Sequence, residues 1–382
     1  MNLKLVVCST ICIVLLLGCS SPIATLTPLP VTPTVNNIPT EIPQPTKTME
    51  AVPLPLSEPG PYYPGTRGYE FQDTNRNSRR VILSLYYPAI KPEGATGNGP
   101  TRKAIADTSG APYPIILSSA KVADLFGPHL ASFGFVVVGI NGQDSSEHWG
   151  RWLLDFPLDM VFALDQIAVT PLEGLEGVLD NDHAGAMGYS FDGYNALALG
   201  GARIDPDYYR SQCDNAATIN PTPPNWWSDY ICNMTGGWDE FVTYAGMLGV
   251  STTDGLWQPI TDERIRAVMP MAPEGAWLFG ERGLEAVDRP TLIIGATADD
   301  INIYDLEAVY IFEHLGTSDR IMISFVDQGH MMISDPDQVA RMKHFAVVFF
   351  GYHLQGQDEY AKYFSEEFFD QYTDLRLGVV ER

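Results

Sequence analysis

The sequence predicts an α/β domain: a mostly parallel sheet with helices on both faces and an inserted subdomain. Three observations carry this. After residue 110, short apolar runs alternate with segments of helical length, which is the pattern of strands joined by crossover helices. About 320 residues remain beyond a proline-dense N-terminal part, enough for one large α/β domain with an insertion. Residues 203 to 263 lie where a compact domain needs only a short connection, and sixty residues is too long for a bare loop.

Met1-Asn-Leu-Lys4 leads into an apolar run from Leu5 to Leu17, too short for a comfortable membrane span, which reads as a secretory signal over residues 1–18. Leu16-Leu17-Gly18-Cys19 resembles the bacterial lipoprotein signal, in which Cys19 becomes the lipidated first residue of the mature chain. Residues 19–64 are dense in Pro and Thr and cannot bury a core. They read as an extended tether, of which about forty residues reach roughly 120 Å at about 3.1 Å per residue. The expectation is an exported protein anchored to the outer face of a bacterial membrane through Cys19. With 23 basic and 47 acidic residues, the net charge of −24 repels nucleic acid and anionic headgroups, so lipid rather than charge must hold it there. Cys8 and Cys12 leave with the signal, and the two cysteines left in the exported domain, Cys213 and Cys232, are expected to form a disulfide.

Within residues 65–382, Asp73-x-Asn75-x-Asn77 opens like a calcium loop, but Ser84 stands where the twelfth-position carboxylate belongs, so a β-turn is expected. Candidate strands are 81–87, 114–118, 135–140, 184–188, 265–271, 291–295 and 320–326. A helix is expected after Asp155, with Pro157 near its first turn and Leu158, Val161, Phe162 and Ile167 at helical spacing. An amphipathic helix over 337–354 follows the last strand, and the aromatic tail to Tyr372 is expected to pack as another.

The chemistry centres on Ala184-Gly-Ala-Met-Gly-Tyr-Ser190-Phe-Asp-Gly193, an apolar strand, a tight turn and an Ala/Leu-rich helix. A serine hydroxyl is a poor nucleophile at neutral pH. A strained strand-to-helix turn exposes it to a base and sets helix N-terminal amides where an oxyanion would form. Gly follows Ser190 by three residues rather than the usual two, with Asp192 in the usual place. Pro290-Thr-Leu-Ile-Ile-Gly295-Ala-Thr-Ala-Asp299-Asp300 is a strand ending in two carboxylates, and Arg320 to Val326 is a strand leading to Gly329-His330. The order Ser, acid, His is that of α/β-hydrolases. His330 is the expected base, because imidazole titrates near neutrality. Asp299 fits the spacing from Gly295 better as the acid, with Asp300 as the alternative.

On these residues the chain resembles bacterial dienelactone-hydrolase-like proteins related to platelet-activating-factor acetylhydrolases and, more distantly, cutinase-type polyester hydrolases. Further matches are Val81 to Ala89, Tyr113 to Ser119, Leu130 to Val138, Phe156-Pro-Leu-Asp159 and Phe349 to Gly356. The resemblance implies an eight-stranded, mostly parallel α/β-hydrolase sheet, no metal or organic cofactor, and ester hydrolysis through a serine acyl-enzyme. It also implies an oxyanion hole of the Phe191 and Lys121 amides. Where the family carries His-Gly-x-Gly, this chain has Ser118-Ser119-Ala120-Lys121-Val122, with no glycine to supply a positive φ.

The insertion holds Cys213, Cys232, Trp226, Trp227, Trp238 and Trp257. Two readings stand level: a cap whose tryptophans line an acyl pocket, with Trp226 and Trp227 foremost, or a subdomain that uses them as its own core. Trp149 and Trp152 are alternative pocket-liners. The leading expectation is a surface-tethered serine esterase acting on a small-molecule or lipid ester with a short or truncated acyl group. The competing one is a binding lipoprotein that has kept the fold and lost turnover.

Overall fold

The computed structural model describes residues 54–142, 150–219, 222–233 and 237–381, so the expected signal over 1–18, Cys19, most of the expected tether over 19–64 and Trp149 lie outside the described residues. No described helix is long and apolar enough to cross a membrane. The strands are β1 (Tyr63–Asp73), β2 (Arg79–Ala89), β3 (Thr101–Arg102), β4 (Tyr113–Ser119), β5 (Val136–Gly142), β6 (Leu179–Tyr189), β7 (Thr252–Thr253), β8 (Leu256–Trp257), β9 (Ile265–Met271), β10 (Thr291–Ala296), β11 (Arg320–Phe325) and β12 (Leu375–Leu377). The helices are α1 (Ala120–Ser132), α2 (Trp152–Val169), α3 (Phe191–Leu199), α4 (Pro206–Asp214), α5 (Asn225–Cys232), α6 (Trp238–Met247), α7 (Ala276–Leu284), α8 (Tyr310–His314), α9 (Pro336–Gln355) and α10 (Glu366–Phe369).

Ten strands form one sheet in the order β12-β11-β10-β9-β6-β4-β5-β2-β1-β3, and β7 and β8 make a separate hairpin. From β11 to β5 every neighbouring pair is parallel, while β2, β1 and β12 join antiparallel. The expected eight strands are therefore joined by two very short ones, β3 and β12, at the sheet edges, where a short strand leaves little backbone for unwanted pairing. β1 is absent from the candidate strands because Pro64, Gly65 and Gly68 interrupt its pattern. It forms by pairing along its whole length with β2. The intervening Asp73 to Asn77 is a turn, with Asp73 Oδ1 accepting from Asn75 N–H at 3.0 Å and Asn77 at φ 53°.

Successive strand residues feed opposite sides of the sheet. Ile116 and Val137 pack with Phe126 and Leu130 of α1 and Phe345 and Phe349 of α9, whereas Ile115, Leu117, Val136 and Val138 pack with Met160, Leu164 and Ile167 of α2. Two apolar faces explain why these strands read as continuous hydrophobic runs.

Three local features depart from expectation. α2 starts at Trp152 rather than after Asp155, which puts Pro157 inside the helix. Ion pairs tie its N-terminal half to the β1–β2 turn: Asp159 accepts from Arg79 Nε and Nη2, both at 2.8 Å, and Arg76 Nη2 approaches it at 2.7 Å. The C-terminal tail is a tight helical turn over Asp358–Phe364 followed by α10 and β12, not one helix. Finally, the chain joins the domain before residue 65. Leu54 is buried, and Leu56 is gripped through its backbone, its N–H donating to His344 Nδ1 at 3.1 Å and its carbonyl accepting from His129 Nε2 at 2.9 Å. Burial pushes both histidines down, His129 to about 4 and His344 to about 3.

The insertion comprises α4 to α6 with the β7–β8 hairpin, and Cys213 and Cys232 are disulfide-bonded. Its tryptophans pack inward: Trp238 stacks on Tyr209 at 4.8 Å and meets Phe241 and Trp257 at 5.6 and 5.9 Å.

Candidate active site

Because β4, β6, β10 and β11 run parallel, their C-terminal ends lie along one edge of the sheet, and the segments leaving them converge there. Ser190 sits between β6 and α3 at φ 58°, ψ −125°, a backbone conformation that a non-glycine residue adopts only when its surroundings over-determine it. They do. Ser190 N–H donates to Met271 O at 2.9 Å, and Ser190 O accepts from Gly193 N–H at 2.8 Å. The turn is tight enough that a Cβ on Gly188 would fall 1.8 Å from Asp192 O, and one on Gly193 would fall 2.8 Å from Pro273 Cα. The displaced glycine of the motif is thus required at 193, where the helix passes the segment leaving β9.

Ser190 Oγ lies 2.9 Å from His330 Nε2, and His330 Nδ1 lies 2.8 Å from Asp299 Oδ2. Asp299 is 5% exposed while Asp300 faces solvent, so the acid beside His330 is Asp299. Its other oxygen, Oδ1, accepts from the backbone N–H groups of Ile301 and Asn302 at 2.9 and 2.8 Å. Asp299 therefore also caps the segment that follows it. Tyr189 Oη donates to the His330 carbonyl, fixing the histidine turn from the strand below.

Phe191 is the first residue of α3 and Lys121 the second of α1, positions whose N–H groups have no intrahelical partner. Both residues line the cavity that contains Ser190, a space of about 630 Å³ walled by Ile140, Trp152, Phe156, Met160 and Ile333. Trp152 stacks on Phe191, the neighbour of Ser190, with ring centroids 4.1 Å apart. Among the described residues no part of the insertion lines this cavity. Trp227 is buried in a cluster that the insertion shares with α2, α3 and α7, and Trp226 is solvent-exposed; neither lines this cavity, contrary to their expected role as pocket residues. The physical reason is that Trp227, with Trp238 and Trp257, buries its large ring between the insertion and the main domain, where it removes more apolar area from water than on a cavity wall.

Three polar residues belong to the site without a signal in the sequence. Asn302 Nδ2 donates to Ala272 O at 2.8 Å and approaches Ser190 Oγ at 3.4 Å, tying the loop after β10 to Ala272, which stands at φ 38°. Glu274 is buried next to the elbow, its N–H 3.4 Å from Ser190 O and its carboxyl 3.5 Å from Tyr230 Oη. Burial pushes this carboxyl up to about 7, against a smaller opposing pull from His330. Behind it, Glu307 accepts from Gly275 and Ala276 N–H at 3.0 and 2.9 Å, and burial raises its carboxyl well above the usual range. Only spatial neighbourhood distinguishes these acids from the many surface carboxylates of an acidic chain. The carboxyl of Asp192, which stands in the usual glycine place, is bonded to Ser119 and Asn195.

No family model matches this chain, and no curated protein matches it at a significant level.

Proposed function

We propose that this protein is a serine carboxylic ester hydrolase of the α/β-hydrolase fold, working through an acyl-enzyme. The observation that carries the reading is the unbroken relay Ser190 Oγ, His330, Asp299, with separations of 2.9 and 2.8 Å, centred on a serine held at positive φ. In this reading Ser190 Oγ attacks the ester carbonyl and passes its proton to His330 Nε2. Asp299 accepts the Nδ1–H bond, which holds the productive tautomer and stabilises the imidazolium. The Phe191 and Lys121 amides receive the oxyanion, His330 returns the proton to the leaving alcohol, and water then frees the acid by the same route.

The wall of Trp152, Phe156 and Met160 favours an uncharged ester, with a short or truncated acyl group alongside the Trp152–Phe191 stack. The Gly18-Cys19 signal and the Pro/Thr-rich segment support export and attachment through a lipidated Cys19. A fluorophosphonate probe tests the central claim, since it labels an activated serine and not an inert one. Stoichiometric labelling of the intact protein, lost in Ser190→Ala and in His330→Ala, is expected. Absence of labelling in the folded wild-type protein would replace the esterase with a binding module. A series of p-nitrophenyl esters from acetyl to palmitoyl tests the substrate class, with kcat/KM expected to peak at short chains.

A further inference from the structure

The two departures from the usual nucleophile motif, Asp192 in place of glycine and an oxyanion loop without glycine, meet in space. Asp192 Oδ2 lies 2.5 Å from Ser119 Oγ, and Asp192 Oδ1 accepts from Asn195 Nδ2 at 3.2 Å. Ser119 is the N-cap of α1, at φ −66° and ψ 155°, and the same hydroxyl accepts from Val122 N–H at 3.4 Å. A hydroxyl has one proton and two lone pairs, so it can donate to Asp192 and cap α1 at once. Asp192 directly follows Phe191 in the first turn of α3; Lys121 lies between Ser119 and Val122 in the first turn of α1. Asp192, Ser119, Phe191 and Lys121 all line the cavity of Ser190.

We propose that the Asp192–Ser119 hydrogen bond is the positioning device of the oxyanion hole, locking the N-terminus of α1 to that of α3 so that the Lys121 and Phe191 amides converge on one point. This inference rests on the esterase reading of the same site. In a loop without glycine the backbone has no special conformation with which to aim its amide, and a bond from the neighbouring helix takes over that task. Asp192 is here a positioning residue. Its carboxylate would oppose an oxyanion if it faced one, but both its oxygens are engaged by donors, with the Lys121 ammonium close enough to favour the charge. Burial is the larger influence and raises the Asp192 carboxyl above its ordinary value, with the Ser119 and Asn195 donors and the Lys121 ammonium pulling against it.

The test is steady-state kinetics of the full chain on p-nitrophenyl acetate for wild type, D192A, D192N, S119A and the double variant D192A/S119A. Loss of alignment of one oxyanion donor predicts a fall in kcat of about 10²-fold in D192A and in S119A, with KM changed by less than about threefold. Asn can still accept from Ser119 through its amide oxygen, so D192N is expected to recover most of the loss. The double variant is expected to be no slower than either single one, because one bond is removed only once. A uniformly structural role would instead lower the fraction of active protein, titrated with fluorophosphonate, and leave kcat per active site unchanged; that result would overturn the proposal. Additive losses in the double variant, or D192N as slow as D192A, would overturn it too. Wild-type protein that neither turns over nor labels would remove the esterase reading itself, a result distinct from active wild type with an unimpaired D192A.

Discussion

Glu274→Gln offers a quantitative check on the electrostatics beside Ser190. The wild-type carboxyl is pushed from an ordinary value of 4.5 up to about 7 by burial. A raised folded pKa means that the folded state keeps a proton the unfolded chain has already lost, so stability falls as pH rises between the two values. The slope is about 1.4 kcal/mol per pH unit, which over this window amounts to about 3 kcal/mol. Glutamine has nearly the same shape and does not titrate. Relative to wild type, the variant should gain stability from pH 4.5 upward and level off above pH 7, on the order of 3 kcal/mol ahead. Below pH 4.5, where wild type carries a neutral carboxyl, the difference should be independent of pH. Urea unfolding of both proteins at half-unit steps from pH 4 to 8.5 provides the assay. A difference flat across the whole range would show that Glu274 is not a neutral acid held by burial, and the description of the second carboxyl at the site would have to be abandoned.

Asp299→Asn should lower kcat on a short ester by about 10⁴-fold, since the amide favours the wrong tautomer of His330, whereas Asp300→Asn should change it by no more than a few-fold; the reverse order would move the orienting role to Asp300. Asp159→Ala leaves the buried Arg79 guanidinium without its bidentate partner and should cost about 3–5 kcal/mol in urea unfolding. Removing Cys213 and Cys232 together opens a loop with a sequence separation of 19 and should destabilise by about 3 kcal/mol, read as earlier proteolysis of the insertion. His129, pushed down to about 4 by burial, lowers stability as pH falls from 6.5 toward 4, by up to about 3 kcal/mol. His129→Gln should reduce that acid slope, and an unchanged slope would exclude the burial of His129 as its source.

The sequence by itself determined the parallel strands and the chain order of Ser190, Asp299 and His330. Both are written in short range: a strand buried on two faces is a continuous apolar run, and each of the three residues directly follows such a run in the turn that leaves it. The disulfide was legible because residues 65–382 contain only two cysteines. Tertiary structure decided what depends on distant partners. β1 exists through its pairing with β2, despite its glycines. α2 is tied at Asp159 to Arg76 and Arg79 of the β1–β2 turn, and the domain reaches back to Leu54 because His129 and His344 hold the Leu56 backbone from α1 and α9. The choice between Asp299 and Asp300 required knowing which side chain is buried against His330. Of the insertion's tryptophans, Trp227, Trp238 and Trp257 went into a core shared with α2, α3 and α7 and Trp226 stayed exposed, with Trp152 alone of the described candidates on the cavity wall. Asn302, Glu274 and the Asp192–Ser119 bond escaped the sequence for one reason: each is a common polar residue whose meaning comes from a neighbour many positions away, brought within hydrogen-bond reach only when the parallel strands gather their C-terminal ends at one edge.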